Sequence, residues 1–94
     1  MRVTFDPAKS ERNVRLRGLS FERAADFAFE SAVFAVDDRQ AYGETRVVAL
    51  GLLGDRVHVL CFIETDEGIR VISFRKANAR EVNRYAKARS PDQA

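Results

Sequence analysis

The sequence predicts an α+β domain of two N-terminal helices, a four-stranded antiparallel sheet and a C-terminal helix, and three observations lead there. Between Thr45 and Lys76, apolar residues recur in runs separated by the turn signals Gly54-Asp55 and Thr65-Asp66-Glu67-Gly68. Ahead of them stand two helix openings, Asp6-Pro7 and Ser20. Behind them, Asn78 and Glu81 have the spacing of a capping box.

Each element follows from its own residues. Asp6 as N-cap, Pro7 at the first helical position and Gly18 as the stop predict a helix over Pro7 to Arg17. Ala8, Val14 and Leu16 do not fill a stripe, so this helix is peripheral, with Lys9, Arg12, Arg15 and Arg17 in water. Ser20 opens a second helix to about Glu30, whose Phe21, Ala24, Ala25 and Ala28 share one face, widened by Phe27 and Phe29, which makes it part of the core. Ala32 to Val36 is a continuous apolar run, read as a buried strand before the polar loop Asp37 to Gly43. Strands over Thr45 to Leu53, Arg56 to Glu64 and Ile69 to Lys76 follow, and Asn78 caps the last helix. Ala79, Val82, Tyr85 and Ala86 form that helix's packing stripe, and Ser90 to Ala94 a frayed tail.

Turn lengths set an expected register. With Leu53 opposite Arg56 and Thr65 opposite Gly68, one face collects Val48, Leu50, Leu52, Val57, Val59, Cys61, Ile63, Ile72 and Phe74, which the second helix would cover. The other face collects Thr45, Val47, Ala49, Gly51, His58, Leu60, Phe62, Glu64, Val71, Ser73 and Arg75, a mixed surface suited to binding, with His58 opposite Arg75 and Ser73 opposite Leu60. Arg46 and Arg70 end the first face near one sheet edge.

Composition narrows the class. The 94 residues, 46% hydrophobic and 32% charged, read as one globular domain over residues 1–94 without repeat or linker. No apolar run approaches the roughly 20 residues a membrane helix needs, so a soluble, cytoplasmic protein without membrane contact is expected. One cysteine, Cys61, and one histidine leave no disulfide or zinc set, so no metal or cofactor is expected and Cys61 reads as buried packing. The charge is uneven. From Ile69 to Arg89 seven Lys/Arg face one acid, +6 against +2 for the whole chain, which leaves −4 elsewhere; the basic end suits phosphates.

Three blocks resemble the BrnT family of bacterial ribonuclease toxins of type II toxin-antitoxin pairs. The first is Asp6, Lys9, Asn13, Gly18, Phe21 and Ala24; the second is Gly43-Glu44 with Arg46 and Gly51. The third is Ile69-Arg70-Val71-Ile72-Ser73-Phe74-Arg75-Lys76-Ala77, continued by Glu81 and Tyr85. Where the family has Lys-His-Gly, this chain has Leu16-Arg17-Gly18, which keeps a positive charge but no imidazole. The resemblance implies a RelE-like fold, a metal-independent endoribonuclease that inhibits translation, and neutralisation by a BrnA-like antitoxin. It also implies promoter DNA bound only through the antitoxin complex.

Cleaving RNA without metal needs the 2′-hydroxyl deprotonated, the phosphorane charge stabilised and the 5′-oxygen protonated. Arg75 first and Arg70 second are the candidates for stabilising charge, because a guanidinium fork binds phosphate oxygens in pairs. Their other reading is a solvated strand end. His58 and Glu64 are the candidate bases, read otherwise as a structural histidine and an ion-pairing surface acid. Lys76, Arg80, Arg84 and Arg17 are candidates for holding the RNA backbone. Glu81 reads as a cap and Tyr85 as packing. A non-catalytic nucleic-acid- or antitoxin-binding module on the same fold is the alternative function, and a pure interaction subunit docking an acidic partner is a third.

Overall fold

The structure, a computed structural model, describes residues 1–37 and 43–90. Residues 38–42 of the predicted loop Asp37 to Gly43, and residues 91–94 of the predicted tail, lie outside the described residues. The elements in chain order are β1 (Arg2–Thr4), α1 (Pro7–Arg17), two 3-10 segments (Phe21–Asp26 and Phe29–Ser31), β2 (Val33–Asp37), β3 (Arg46–Leu53), β4 (Arg56–Glu64), β5 (Gly68–Lys76) and α2 (Ala79–Ala88). The strands form one sheet in the order β1-β5-β4-β3-β2.

Two predicted features of the fold class are therefore corrected. The sheet is five-stranded and mixed, not four-stranded and antiparallel, and one α-helix, not two, precedes it, so the RelE-like arrangement expected from the resemblance does not stand as drawn. The extra strand, β1, is three residues long, too short to show a period of two. It is placed by a partner 66 residues away, pairing in parallel as Arg2↔Gly68, Val3↔Ile69 and Thr4↔Arg70. Gly68 permits this, because a Cβ there would run into the backbone of Arg2.

The second helix fails for a reason visible in burial. Phe21, Ala24 and Phe27 are buried at intervals of three, the repeat of a 3-10 helix, whereas Ala25 is exposed and Ala28 half-buried. Ser20 still caps the segment, accepting from Glu22 N at 3.2 Å. The tighter winding keeps Phe21, Ala24 and Phe27 in line over one sheet face.

α1 follows its predicted bounds, with Asp6 accepting from Ala8 N at 3.0 Å and Gly18 left-handed at φ 68°. It is held by polar contacts instead of apolar ones. Ser10 Oγ accepts from Phe21 N at 3.0 Å, and Asn13 Nδ2 donates to Leu19 O and to Phe74 O, both at 2.9 Å. Since β1 pairs with β5 only as far as Arg70, Asn13 satisfies a carbonyl beyond that pairing.

The sheet faces are also corrected. The covered face carries Ala49, Gly51, Leu53, His58, Leu60, Phe62, Ile69, Val71 and Phe74, packed under Leu19, Phe21, Ala24 and Phe27, so the face read as a binding surface is most of the core. Small residues made it look open, yet they make room for rings: a Cβ on Gly51 would sit 2.6 Å from Phe27 Cζ. A register shift between Cys61 and Phe62 leaves Ile72 as an extra residue in β5. His58 consequently pairs with Lys76 and not Arg75, and Ser73 with Cys61 and not Leu60. Phe74 turns to the core and Arg75 to the second face.

On that second face Leu50, Val57 and Val59 are buried where α2 lies against β3, while Val48, Cys61, Ile63 and Ile72 are half-buried. Cys61 is thus not the fully buried packing residue expected. Of the predicted α2 stripe, Tyr85 is half-buried and Ala79, Val82 and Ala86 are exposed. β2, expected as a buried strand, is an edge strand with Phe34 50% and Val36 63% exposed. No helix among the described residues is long and apolar enough to cross a membrane.

Candidate functional site

The bulge at Ile72 decides how the strand cations are arranged. Arg70 and Arg75 are five residues apart, and in an unbroken strand an odd spacing sends two side chains to opposite faces. The extra residue cancels that. Arg70, Ser73 and Arg75 pair with Ile63, Cys61 and Val59, every second residue of β4, and so all three point to the second face. At ~3.3 Å per residue on β4, Arg70 and Arg75 lie about 6–7 Å to either side of Ser73, within reach of long arginine side chains.

Two more cations act nearby. Arg46, on β3, and Lys9, on α1, both act electrostatically on the Cys61 thiol, which faces its pairing partner Ser73. The thiol is pushed up chiefly by burial, and less by Asp37, while those two cations and Ser73 oppose the shift. Arg46 and Lys9, together with the acid Asp37, thus act on Cys61, the residue that pairs with Ser73 between Arg70 and Arg75. Glu44 joins them, its Oε1 3.7 Å from Arg46 Nη2.

Arg75 is fixed more firmly than the rest. Its Nη1 and Nη2 donate to Glu81 Oε1 and Oε2 at 2.8 and 2.9 Å, a two-bond fork, and Nη1 also reaches Lys76 O at 3.3 Å. Glu81 is itself set by the capping box: Asn78 N donates to Glu81 Oε1 at 2.9 Å and Asn78 Oδ1 accepts from Glu81 N at 2.9 Å. The helix start thus locks the carboxylate that locks the arginine. Arg75 is 36% exposed and Glu81 14%, so the guanidinium keeps an open side.

The ion pair has a pH signature. The Arg75 hydrogen bonds, helped by Asn78 N and the charges of Arg75 and Arg84, hold the Glu81 carboxyl at about 2, down from 4.5, against burial. Arg75 is raised in turn, first by the Glu81 hydrogen bond. A depressed carboxylate stabilises the fold above its unfolded pKa and loses that contribution as pH falls through its folded one. Stability is expected to drop by about 1–2 kcal/mol between pH 5 and 2 from this pair, after allowance for solvent at Arg75. Urea midpoints across that range check it: Glu81→Gln keeps a capping group but should lack this part of the acid loss.

The other predicted site residues lie elsewhere. His58, 5% exposed, is on the core face, where with Arg17 and Lys76 it lines a separate cavity. Glu64 is exposed at the end of β4, pairing with Ile69 and lining a groove with Phe34 and Val36. Arg80 and Arg84 are exposed on α2. Four predicted catalytic residues thus occupy three places, and only Arg70 and Arg75 come together. Lys9, Glu44 and Arg46 were missed as chemistry; their one signal was membership in the quoted motif blocks. Among the described residues no group of His, Cys, Asp or Glu is placed to hold a metal ion.

The family model described as "Ribonuclease toxin, BrnT, of type II toxin-antitoxin system" matches residues 5–81. No curated protein and no solved structure matches the chain.

Proposed function

The chain belongs to the BrnT family of ribonuclease toxins of type II toxin-antitoxin systems, and on that premise we propose that the face bearing Arg46, Arg70 and Arg75 binds and cuts single-stranded RNA. Membership implies an antitoxin protein as partner. The observation that carries the proposal is the bulge at Ile72, which gathers Arg70 and Arg75 about Ser73 on one face.

Arg75 takes the catalytic role of charge stabiliser. Its fork on Glu81 leaves the guanidinium pre-set, so no reorganisation is needed when the phosphorane forms. Glu81 is a positioning residue. Arg70, Lys9 and Arg46 hold the flanking phosphates, and their cationic contacts make binding weaken as salt rises. The 2′-hydroxyl proton passes to water on the open face. The 2′-oxygen then attacks phosphorus, the bond to the 5′-oxygen breaks, and that oxygen takes a proton from solvent on the open face. The products are a 2′,3′-cyclic phosphate and a 5′-hydroxyl. No step uses a metal, cleavage of cellular RNA inhibits translation, and a BrnA-like antitoxin neutralises the protein.

Purified protein incubated with total RNA and EDTA tests this reading. Cleavage with cyclic-phosphate ends is expected, and salt-sensitive binding without any cleavage would favour the non-catalytic module.

A further inference from the structure

On the core side of the sheet, where β3 and β5 end and β4 begins, a cavity of about 490 Å³ opens between Arg17, Arg23, Leu53, His58 and Lys76, lined also by Leu16, Gly18 and Leu19. Its Lys76 lies on the opposite side of β5 from Arg75, since consecutive strand residues alternate, while Leu16 and Arg17 also line a smaller cavity with Lys9 and Ser73 around the strand's edge. Its volume lies within the range of small-ligand sites.

Three features of its lining point to one ligand chemistry. Cations come from three elements: Arg17 at the end of α1, Arg23 in the first 3-10 segment and Lys76 at the end of β5. Arg23 is engaged with Asp26 at 3.3 Å, but among the described residues Arg17 and Lys76 form no ion pair. Such a set matches a phosphate dianion. Leucine side chains supply apolar wall for a sugar or base.

The third feature is His58. Its Nδ1 lies 2.9 Å from Arg56 O, and a carbonyl only accepts, so Nδ1 carries the proton and in the neutral ring Nε2 is an acceptor. Phe74 holds the ring in place, with centroids 5.6 Å apart. Nε2 makes no hydrogen bond among the described residues. Cations for a phosphate, one oriented acceptor for a hydroxyl or amino group, and an apolar wall describe a nucleoside phosphate. We propose that this cavity binds a nucleoside monophosphate, free or as the 5′-phosphorylated end of a nucleic-acid strand.

The proposal does not depend on cleavage at the other face, and its test reads binding alone. Adenosine 5′-monophosphate is titrated into the full chain while the ring signals of His58, the sequence's one histidine, are followed by NMR. A saturable shift is expected, with adenosine at least tenfold weaker. Arg17→Ala and Lys76→Ala, both at exposed side chains, should each weaken binding about tenfold, the loss of one charge-assisted contact. Arg70→Ala, on the other face, should leave it unchanged. A 5′-phosphorylated DNA oligonucleotide binding more tightly than the mononucleotide identifies a strand end as the source, and the reverse order a free nucleotide; either supports the site. The absence of a saturable His58 shift with both probes, or wild-type affinity in the Arg17→Ala/Lys76→Ala double variant, overturns it.

Discussion

Arg75→Ala is expected to lower kcat/KM for RNA cleavage by about 10²–10³-fold, the usual loss when one pre-set donor to a developing oxyanion is removed. The size follows from placement. Arg75 stands on a strand whose neighbour Phe74 is 1% exposed, and its fork is gripped by a carboxylate that is itself locked into a capping box. Such rigidity makes the guanidinium worth more to the transition state than a mobile surface cation. Arg75→Lys keeps charge but loses the planar fork, so most of the loss should remain. Glu81→Gln should cost less, acting through Arg75's orientation. Single-turnover rates with a labelled RNA, beside circular dichroism to confirm folding, check the series. A folded Arg75→Ala protein cleaving at the wild-type rate would remove this residue from the mechanism.

Phe74→Ala is expected to destabilise the fold by about 3–5 kcal/mol, the range for truncating a large core ring. In a domain whose whole stability is about 5–15 kcal/mol, that is enough to leave a substantial unfolded fraction. Phe74 is almost fully buried, packs edge-on against Phe27 at 6.1 Å and supports the His58 ring. It therefore joins the 3-10 segment to the sheet. Conservative Phe74→Leu should lose less than Ala because it leaves a smaller cavity. Urea unfolding followed by tyrosine fluorescence measures both; equal midpoints for wild type and Phe74→Ala would contradict the packing described.

Local chemistry was legible wherever it was self-contained. Asp6-Pro7 and Gly18 bound α1, Asn78 with Glu81 predicted a capping box that forms at 2.9 Å in both directions, and Gly54-Asp55 set the hairpin register Leu53↔Arg56. Each depends on residues a few positions apart, and the physics that acts on them is equally short-ranged.

Residues distant in sequence were another matter. β1 exists because β5 offers an edge, Asn13 matters because a carbonyl of Phe74 needs a donor, and Gly51 is small because Phe27 fills the space above it. Nothing in their own neighbourhoods carries that information. The candidate site was half legible for the same reason: Arg70 and Arg75 could be named from residue type, yet an unbroken period of two put them on opposite faces.

Short-range patterns were enough for the caps, the hairpin, the identity of the strand arginines and, through the motif blocks, the family. Tertiary structure alone decided which sheet face is core and which carries the cations. For the core, the physical reason is the room that Ala49 and Gly51 leave for the rings above them; for the cations it is the extra residue at Ile72, because a strand's faces alternate and one inserted position reverses the side chains of β5 beyond it. That reversal turns Phe74 inward, brings Arg75 to the same face as Arg70, and leaves His58 opposite Lys76.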